Sequence, residues 1–194
     1  MQARSLTAHD IVCRRGDRIL FGGVRIAASP GEALHITGAN GIGKSSLMRI
    51  LAGLMAPFSG TVTRTGTIGM VDERPALDPQ LPLGAAIAFW AQLDGAANMD
   101  RHAERLGLAE LLEVPVRYLS TGQKKRAALV RLLGQNADIW LLDEPLNGLD
   151  RDGAELVEAL VAEYRADGGI AIIASHQSIR LPAVKTLDLR EFIV

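Results

Sequence analysis

Residues 38–45 read Gly-Ala-Asn-Gly-Ile-Gly-Lys-Ser, and no other stretch restricts the fold of this chain as strongly. The spacing G-x-x-x-x-G-K-[ST] describes a loop whose successive backbone N–H groups converge on the oxygens of a triphosphate. Glycines let the backbone bend inward, and the helix that follows adds its positive N-terminal end. Gly38, Asn40, Gly41, Gly43, Lys44, Ser45 and Ser46 are therefore the expected nucleotide cradle. Lys44 bridges the β- and γ-phosphates, and the Ser45 hydroxyl ligates Mg²⁺. Such a loop needs a buried strand before it and a helix after it. Ala33–Thr37 is a short apolar strand candidate, and Leu47, Ile50, Leu51 and Leu54 recur at helical spacing before Pro57 ends the run.

The remaining pattern agrees with an α/β layer fold. Leu6–Cys13 and Arg18–Ala28 read as strands separated by a turn at Arg15-Gly16-Asp17, and Thr61–Thr65 and Ile68–Val71 as two more around Gly66. From about 73 to 118 the character changes. Pro75, Pro79 and Pro82 punctuate a loop, followed by helical stretches at Ala85–Leu93 and Asp100–Leu112. Alternation then resumes with a helix near 122–133, strand Ile139–Asp143, a helix near 151–166, strand Ile170–Ala174 and a closing strand near Thr186–Leu189. Continuous apolar runs at Ile139–Leu142 and Ile170–Ala174 fit parallel strands covered on both faces. The expectation is a single domain over 1–194: a mainly parallel core sheet, an antiparallel N-terminal β part and a short helical subdomain inserted at about 73–118.

Composition narrows the function classes. With 21 basic and 22 acidic residues the net charge is −1, so the electrostatic footprint of a nucleic-acid binder is missing. One cysteine, Cys13, forms no internal disulfide framework. No segment reaches the roughly 18 apolar residues of a membrane span, and the first ten residues lack the apolar core of a secretion signal. A cytoplasmic chain that meets the membrane only through a partner is expected.

Chemistry concentrates at three further places. Strand Ile139–Leu142 ends in Asp143 and Glu144, where ligands of open α/β sheets sit. Successive residues point apart, so Asp143 can hold Mg²⁺ while Glu144 polarises an attacking water, which argues for hydrolysis. Ser120 and Gln123 form a capping-box pattern at a helix start, yet Lys124, Lys125 and Arg126 crowd its first turns against the helix dipole. Either an anion lies nearby or the three cations form a solvated face. His176 follows strand Ile170–Ala174. Asp150 suits the N-cap of helix 151–166, whose buried face is Val157, Leu160, Val161 and Tyr164. His9, His35 and His102 have no evident partners.

Taken in order, the loop at 38–45, Leu119–Gln123, Asp143-Glu144, Asn147-Gly148-Leu149-Asp150 and His176 resemble the ATP-binding subunit of ABC transporters over about residues 6–190. The resemblance implies an ATPase using ATP and Mg²⁺ in a head-to-tail homodimer. Ser120, Gly122 and Gln123 of one chain then face the γ-phosphate held by the other, and His176 touches that phosphate. The chain departs from the family twice. The aromatic that stacks on adenine is replaced by Arg15, whose guanidinium can lie flat on a base. The loop glutamine near 72–75 is absent, leaving Arg74 at its slot; Arg cannot ligate Mg²⁺, so Glu73 or water stands in. The linking segments are most similar to the haem-exporter ATPases of bacterial cytochrome c maturation. That similarity implies integral membrane permease partners of the CcmB and CcmC type at the cytoplasmic face of the inner membrane. Another small ABC exporter, a soluble ABC-type ATPase and a P-loop kinase are the competing readings. The kinase leaves residues 119–123 and 147–150 unexplained, and the soluble ATPase calls for a second nucleotide domain or a basic surface.

Overall fold

The computed structural model of the chain describes residues 4–73 and 75–194, so the sequence expectation for Arg74 lies outside the described residues. Two sheets form. Strands β1 (Ser5–Arg15) and β2 (Arg18–Ala28) make an antiparallel hairpin, and β4 (Ser59–Thr65) pairs antiparallel on the other side of β1, in the order β2-β1-β4. The second sheet has five strands in the order β5-β6-β7-β3-β8: β5 (Ile68–Val71), β6 (Ile139–Asp143), β7 (Ile170–Ala174), β3 (Ala33–Thr37) and β8 (Lys185–Asp188). Its four pairings are parallel. This is the α/β class expected, with a parallel core and an antiparallel N-terminal part.

The apolar runs of β6 and β7 serve two cores. Ile139 and Leu141 of β6, with Ile170 and Ile172 of β7, face α1 (Lys44–Ala52) and the three-stranded sheet, where Leu47, Met48, Ile50 and Leu51 are fully buried. Trp140, Leu142, Ala171 and Ile173 face the opposite way. They pack on α4 (Thr121–Gly134), α5 (Arg151–Ala166) and the buried Leu83, Leu106 and Leu108 of the helical segment. Each fully buried Leu or Ile is worth roughly 1.5–3 kcal/mol relative to exposure, so both faces hold the sheet.

Strand ends are level where it matters. Asp143 pairs with Ala174, and Ala174 with Ile36, so the C-terminal ends of β6, β7 and β3 lie side by side. Val71 opposite Leu142 brings Asp72 and Glu73 to the same rim. Three elements differ from their sequence expectation. Helix α1 stops at Ala52, because Gly53 at φ 81° turns its N–H back onto the carbonyls of Arg49 and Ile50; Leu54, counted with the apolar face, is thereby left 71% exposed. The stretch 100–112 divides at Gly107 into α3 (Met99–Arg105) and a 3₁₀ turn at Ala109–Leu111. The first helix of this segment, α2 (Leu83–Asp94), is longer than expected by a turn fraction at its start.

Candidate functional site

The loop after β3 turns through Gly38, Gly41 and Gly43 at φ 142°, 80° and 116°, a region closed to most side chains. At Gly43 a Cβ would also stand 2.9 Å from the ring of Phe21, which is wholly buried in the β1–β2 hairpin. The hairpin thus supports the loop from below. Helix α1 starts at Lys44 with no side-chain cap and no acid in its first turn. Its first N–H groups and positive end are left for an anion.

Beside the loop lies a cavity of about 350 Å³ lined by Leu20, Asn40, Gly41, Gly43, Lys44, Ser45, Ser46, Glu73, Glu144 and Asn147. Lys44, 5% exposed, donates from Nζ to the carbonyls of Gly38 at 2.9 Å and Ala39 at 3.3 Å, and pairs with Glu144 Oε1 at 3.2 Å. The other carboxylate oxygen, Oε2, meets His176 Nδ1 at 3.0 Å. Glu144 reaches this position through a left-handed backbone, φ 47°, anchored by its N–H to the Ala174 carbonyl at 2.8 Å. Such a conformation costs about 1 kcal/mol or more in a non-glycine residue, and it turns the carboxylate out of the strand line into the cavity. Burial pushes the Glu144 carboxyl up, but His176 and Lys44 outweigh it and hold the group below its ordinary value.

Asp143 is different. It is fully buried, and neither carboxylate oxygen has a hydrogen-bond partner. Burial raises its pKa first. The nearby Ser45 hydroxyl, short of a formed hydrogen bond, and Lys125 pull it down, while Asp72 and Glu144 push it up. An orphaned buried carboxyl facing a serine hydroxyl suits a hard divalent cation. No cluster of three His, Cys, Asp or Glu among the described residues can hold a metal alone. Mg²⁺ would take Ser45 and Asp143 and complete its shell with phosphate oxygens and water.

The segment at Leu119–Gln123 stands apart from this cavity. Ser120 caps α4, accepting from Gln123 N–H at 3.2 Å while Gln123 Oε1 accepts from Ser120 N–H at 2.8 Å. A Cβ on Gly122 would meet the Gly148 carbonyl at 2.7 Å, so this helix start is seated directly on residues 147–150. Asn147 accepts from the Gln177 side chain at 3.2 Å, and Asp150 caps α5 through Gly153 N–H at 2.8 Å. Ser120, Gly122 and Gln123 do not line the cavity. The three cations that follow are no solvated face: Lys125 is 2% exposed, and Arg126 donates to the Leu106 carbonyl at 3.0 Å.

Of the residues singled out in the sequence, the structure gathers Asn40, Gly41, Gly43, Lys44, Ser45, Ser46 and Glu144 on one cavity, with Asp143 and His176 bonded or packed behind it. Arg15 sits exposed at the hairpin turn opposite Arg18, off the cavity lining. Leu20 lines the cavity instead, and sequence reasoning missed it. Period-two alternation with buried Phe21 was the available signal. Asn147, within the motif at 147–150, lines the same cavity.

The ABC transporter family model matches residues 21–147. Over 192 residues the chain is 54% identical to the cytochrome c biogenesis ATP-binding export protein CcmA of Novosphingobium aromaticivorans, covering 99% of both chains. The protein of the same name from Zymomonas mobilis is 47% identical over 189 residues, covering 97% of this chain and 86% of that one. In structure, a putative ABC transporter ATP-binding protein from Pyrococcus furiosus matches 98% of this chain and 100% of its own at a TM-score of 0.84 and 23% identity, a likeness of fold.

Proposed function

Because the chain belongs to the ABC transporter family, among the CcmA-type ATP-binding export proteins of cytochrome c biogenesis, we propose that it is the ATP-hydrolysing motor of a haem exporter. The observation that carries this reading is the Lys44–Glu144–His176 chain of contacts beside the orphaned Asp143.

Lys44 spends part of its charge on Glu144. Phosphate oxygens arriving in the loop compete for that ammonium, because they offer more negative charge at shorter reach. Glu144 is then released from Lys44, its affinity for a proton rises, and it stays oriented by His176 to accept a proton from an in-line water. Ser45 and Asp143 would hold Mg²⁺, which would supply charge neutralisation to the transferring phosphate. Leu20, on the cavity lining, flanks the entry where the base would lie.

Ser120, Gly122 and Gln123 belong, in this reading, to the site of a second copy. Two chains close head to tail over two ATP molecules, each γ-phosphate shared between Lys44, Ser45 and His176 of one and Ser120 and Gly122 of the other. Hydrolysis removes the shared anion and the halves part. The segment 73–118 acts as an inserted arm that transmits the opening to permeases of the CcmB and CcmC type. A half-apolar groove between β5, α4 and the arm supports such docking; it measures about 350 Å³ and includes Leu54, Met70, Leu77 and Ala128. No helix among the described residues is long and apolar enough to cross a membrane. In this reading the chain sits at the cytoplasmic face of the inner membrane, attached through those partners.

Purification of the chain with its neighbouring membrane proteins tests the reading. ATP turnover that follows the permease complex and responds to haem-loaded acceptor supports it. Turnover in a complex carrying an unrelated cargo contradicts the haem assignment and leaves the ATPase.

A further inference from the structure

Glu144 and Asn147 both line the nucleotide cavity, and one short segment holds both side chains. His176 Nδ1 meets Glu144 Oε2 at 3.0 Å. The next residue, Gln177, donates from its side-chain amide to Asn147 Oδ1 at 3.2 Å. This segment is itself tied to the sheet. Gln177 N–H bonds the Ser175 hydroxyl at 3.0 Å, Ser175 is wholly buried, and its own N–H reaches the Ile36 carbonyl of β3 at 3.1 Å. Opposite it, Asn147 N–H bonds the Glu144 carbonyl at 3.3 Å, so the two lining residues share one turn. Two adjacent residues after β7 thus grip two cavity residues after β6.

An asparagine amide is planar and has two unlike corners, an oxygen that only accepts and an NH₂ that only donates. Beside a triphosphate the corners act oppositely, because a donor bonds anionic oxygens and an acceptor repels them. Gln177 occupies the oxygen corner of Asn147. We propose that Gln177 is a positioning residue: its hydrogen bond holds the Asn147 amide with Nδ2 turned to the cavity, where Nδ2 donates to the terminal phosphate of the nucleotide. The proposal rests on the ATPase reading given above and adds to it a phosphate donor and the residue that sets that donor's polarity. The terminal phosphate is the one served because Asn147 stands a single turn beyond Glu144, which faces the in-line water. ADP lacks this phosphate, so discrimination between triphosphate and diphosphate reports which corner of the amide faces the cavity.

Calorimetry on the full-length chain tests this, with ADP and the non-hydrolysable ATP analogue AMP-PNP as the two probes, each with Mg²⁺. Asn147→Asp still accepts from Gln177 but puts a negative oxygen where the donor was. It should weaken AMP-PNP binding about tenfold or more and ADP binding less than about twofold. Gln177→Glu offers Asn147 an acceptor, turns its amide over, and should weaken AMP-PNP about three- to tenfold with ADP again within about twofold. Placed on Asn147→Ala, where no amide remains to turn, Gln177→Glu should cost at most about twofold, the share of the new charge alone. Gln177→Leu removes the donor without adding charge, and it should move the ratio in the same direction by about two- to fourfold. It also serves if Gln177→Glu does not fold. A ratio left unchanged in the Gln177 variants overturns the proposal. So does an equal loss for both nucleotides, or an equal loss with and without the Asn147 amide. If the unmutated chain binds neither nucleotide, the ATPase reading is wrong and the proposal falls with it. If it binds both and the variants leave the ratio untouched, only the proposal falls.

Discussion

Two glycine-bearing helix starts in this molecule look alike in sequence and differ in what surrounds them. At α1 the start is uncapped, its donors are free, and Lys44, Ser45 and Glu144 line one cavity with Asp143 and His176 behind it. At α4 the start is closed on itself by a full capping box and seated on Gly148, away from that cavity. The first offers the loop, the free helix start and the lysine that the proposed phosphate site needs. The second admits no side chain at Gly122, where a Cβ would stand 2.7 Å from the Gly148 carbonyl. In the head-to-tail reading proposed above, a second copy would use this start.

This contrast can be broken at several strengths. Glu144→Gln gives the largest effect: turnover should fall about 10²–10⁴-fold while nucleotide stays bound, measured as phosphate release against equilibrium binding. Hydrolysis at the normal rate would remove Glu144 from the role of base. Lys44→Ala should weaken nucleotide binding roughly 10- to 100-fold through loss of charge-assisted hydrogen bonds, read by calorimetry. Ser120→Ala should leave nucleotide affinity of the isolated chain within about twofold but cut turnover, and cost about 1 kcal/mol of stability through the lost cap. If it weakened binding as Lys44→Ala does, the two helix starts would share one cavity within one chain.

Smaller effects sharpen the account. Asp150→Ala should cost about 1 kcal/mol by uncapping α5, seen as a lowered Tm. The Glu144 carboxyl is held below its ordinary value in the folded chain. Its contribution to stability is therefore complete above the usual glutamate range and is lost as pH falls through the depressed value. The acid limb of Tm against pH should be steeper in the wild type than in Glu144→Gln.

The phosphate loop, the parallel strands and the acids at the end of β6 were legible in the sequence because each follows from a local rule: glycine spacing, an uninterrupted apolar run, a strand-to-loop boundary. The capping roles of Ser120 and Asp150 were legible for the same reason. What local rules could not reach depends on tertiary neighbours. Lys125 reads as one of three dipole-opposing cations, and only the fold shows it buried while Arg126 binds the Leu106 carbonyl. Leu20 joins the cavity because Phe21 is drawn under Gly43. Helix α1 is shorter than its apolar period suggests, since Gly53 ends it regardless of Leu54.

The molecular mass of Glu144→Gln in solution, measured by sedimentation with and without ATP and Mg²⁺, addresses the shared site most directly. The account predicts a 20.8 kDa species that doubles only when ATP is present, and no doubling when Ser120 and Gly122 are replaced together. A chain that stays monomeric with ATP bound, while the wild type with residues 120–122 replaced still hydrolyses at full rate, would contradict it.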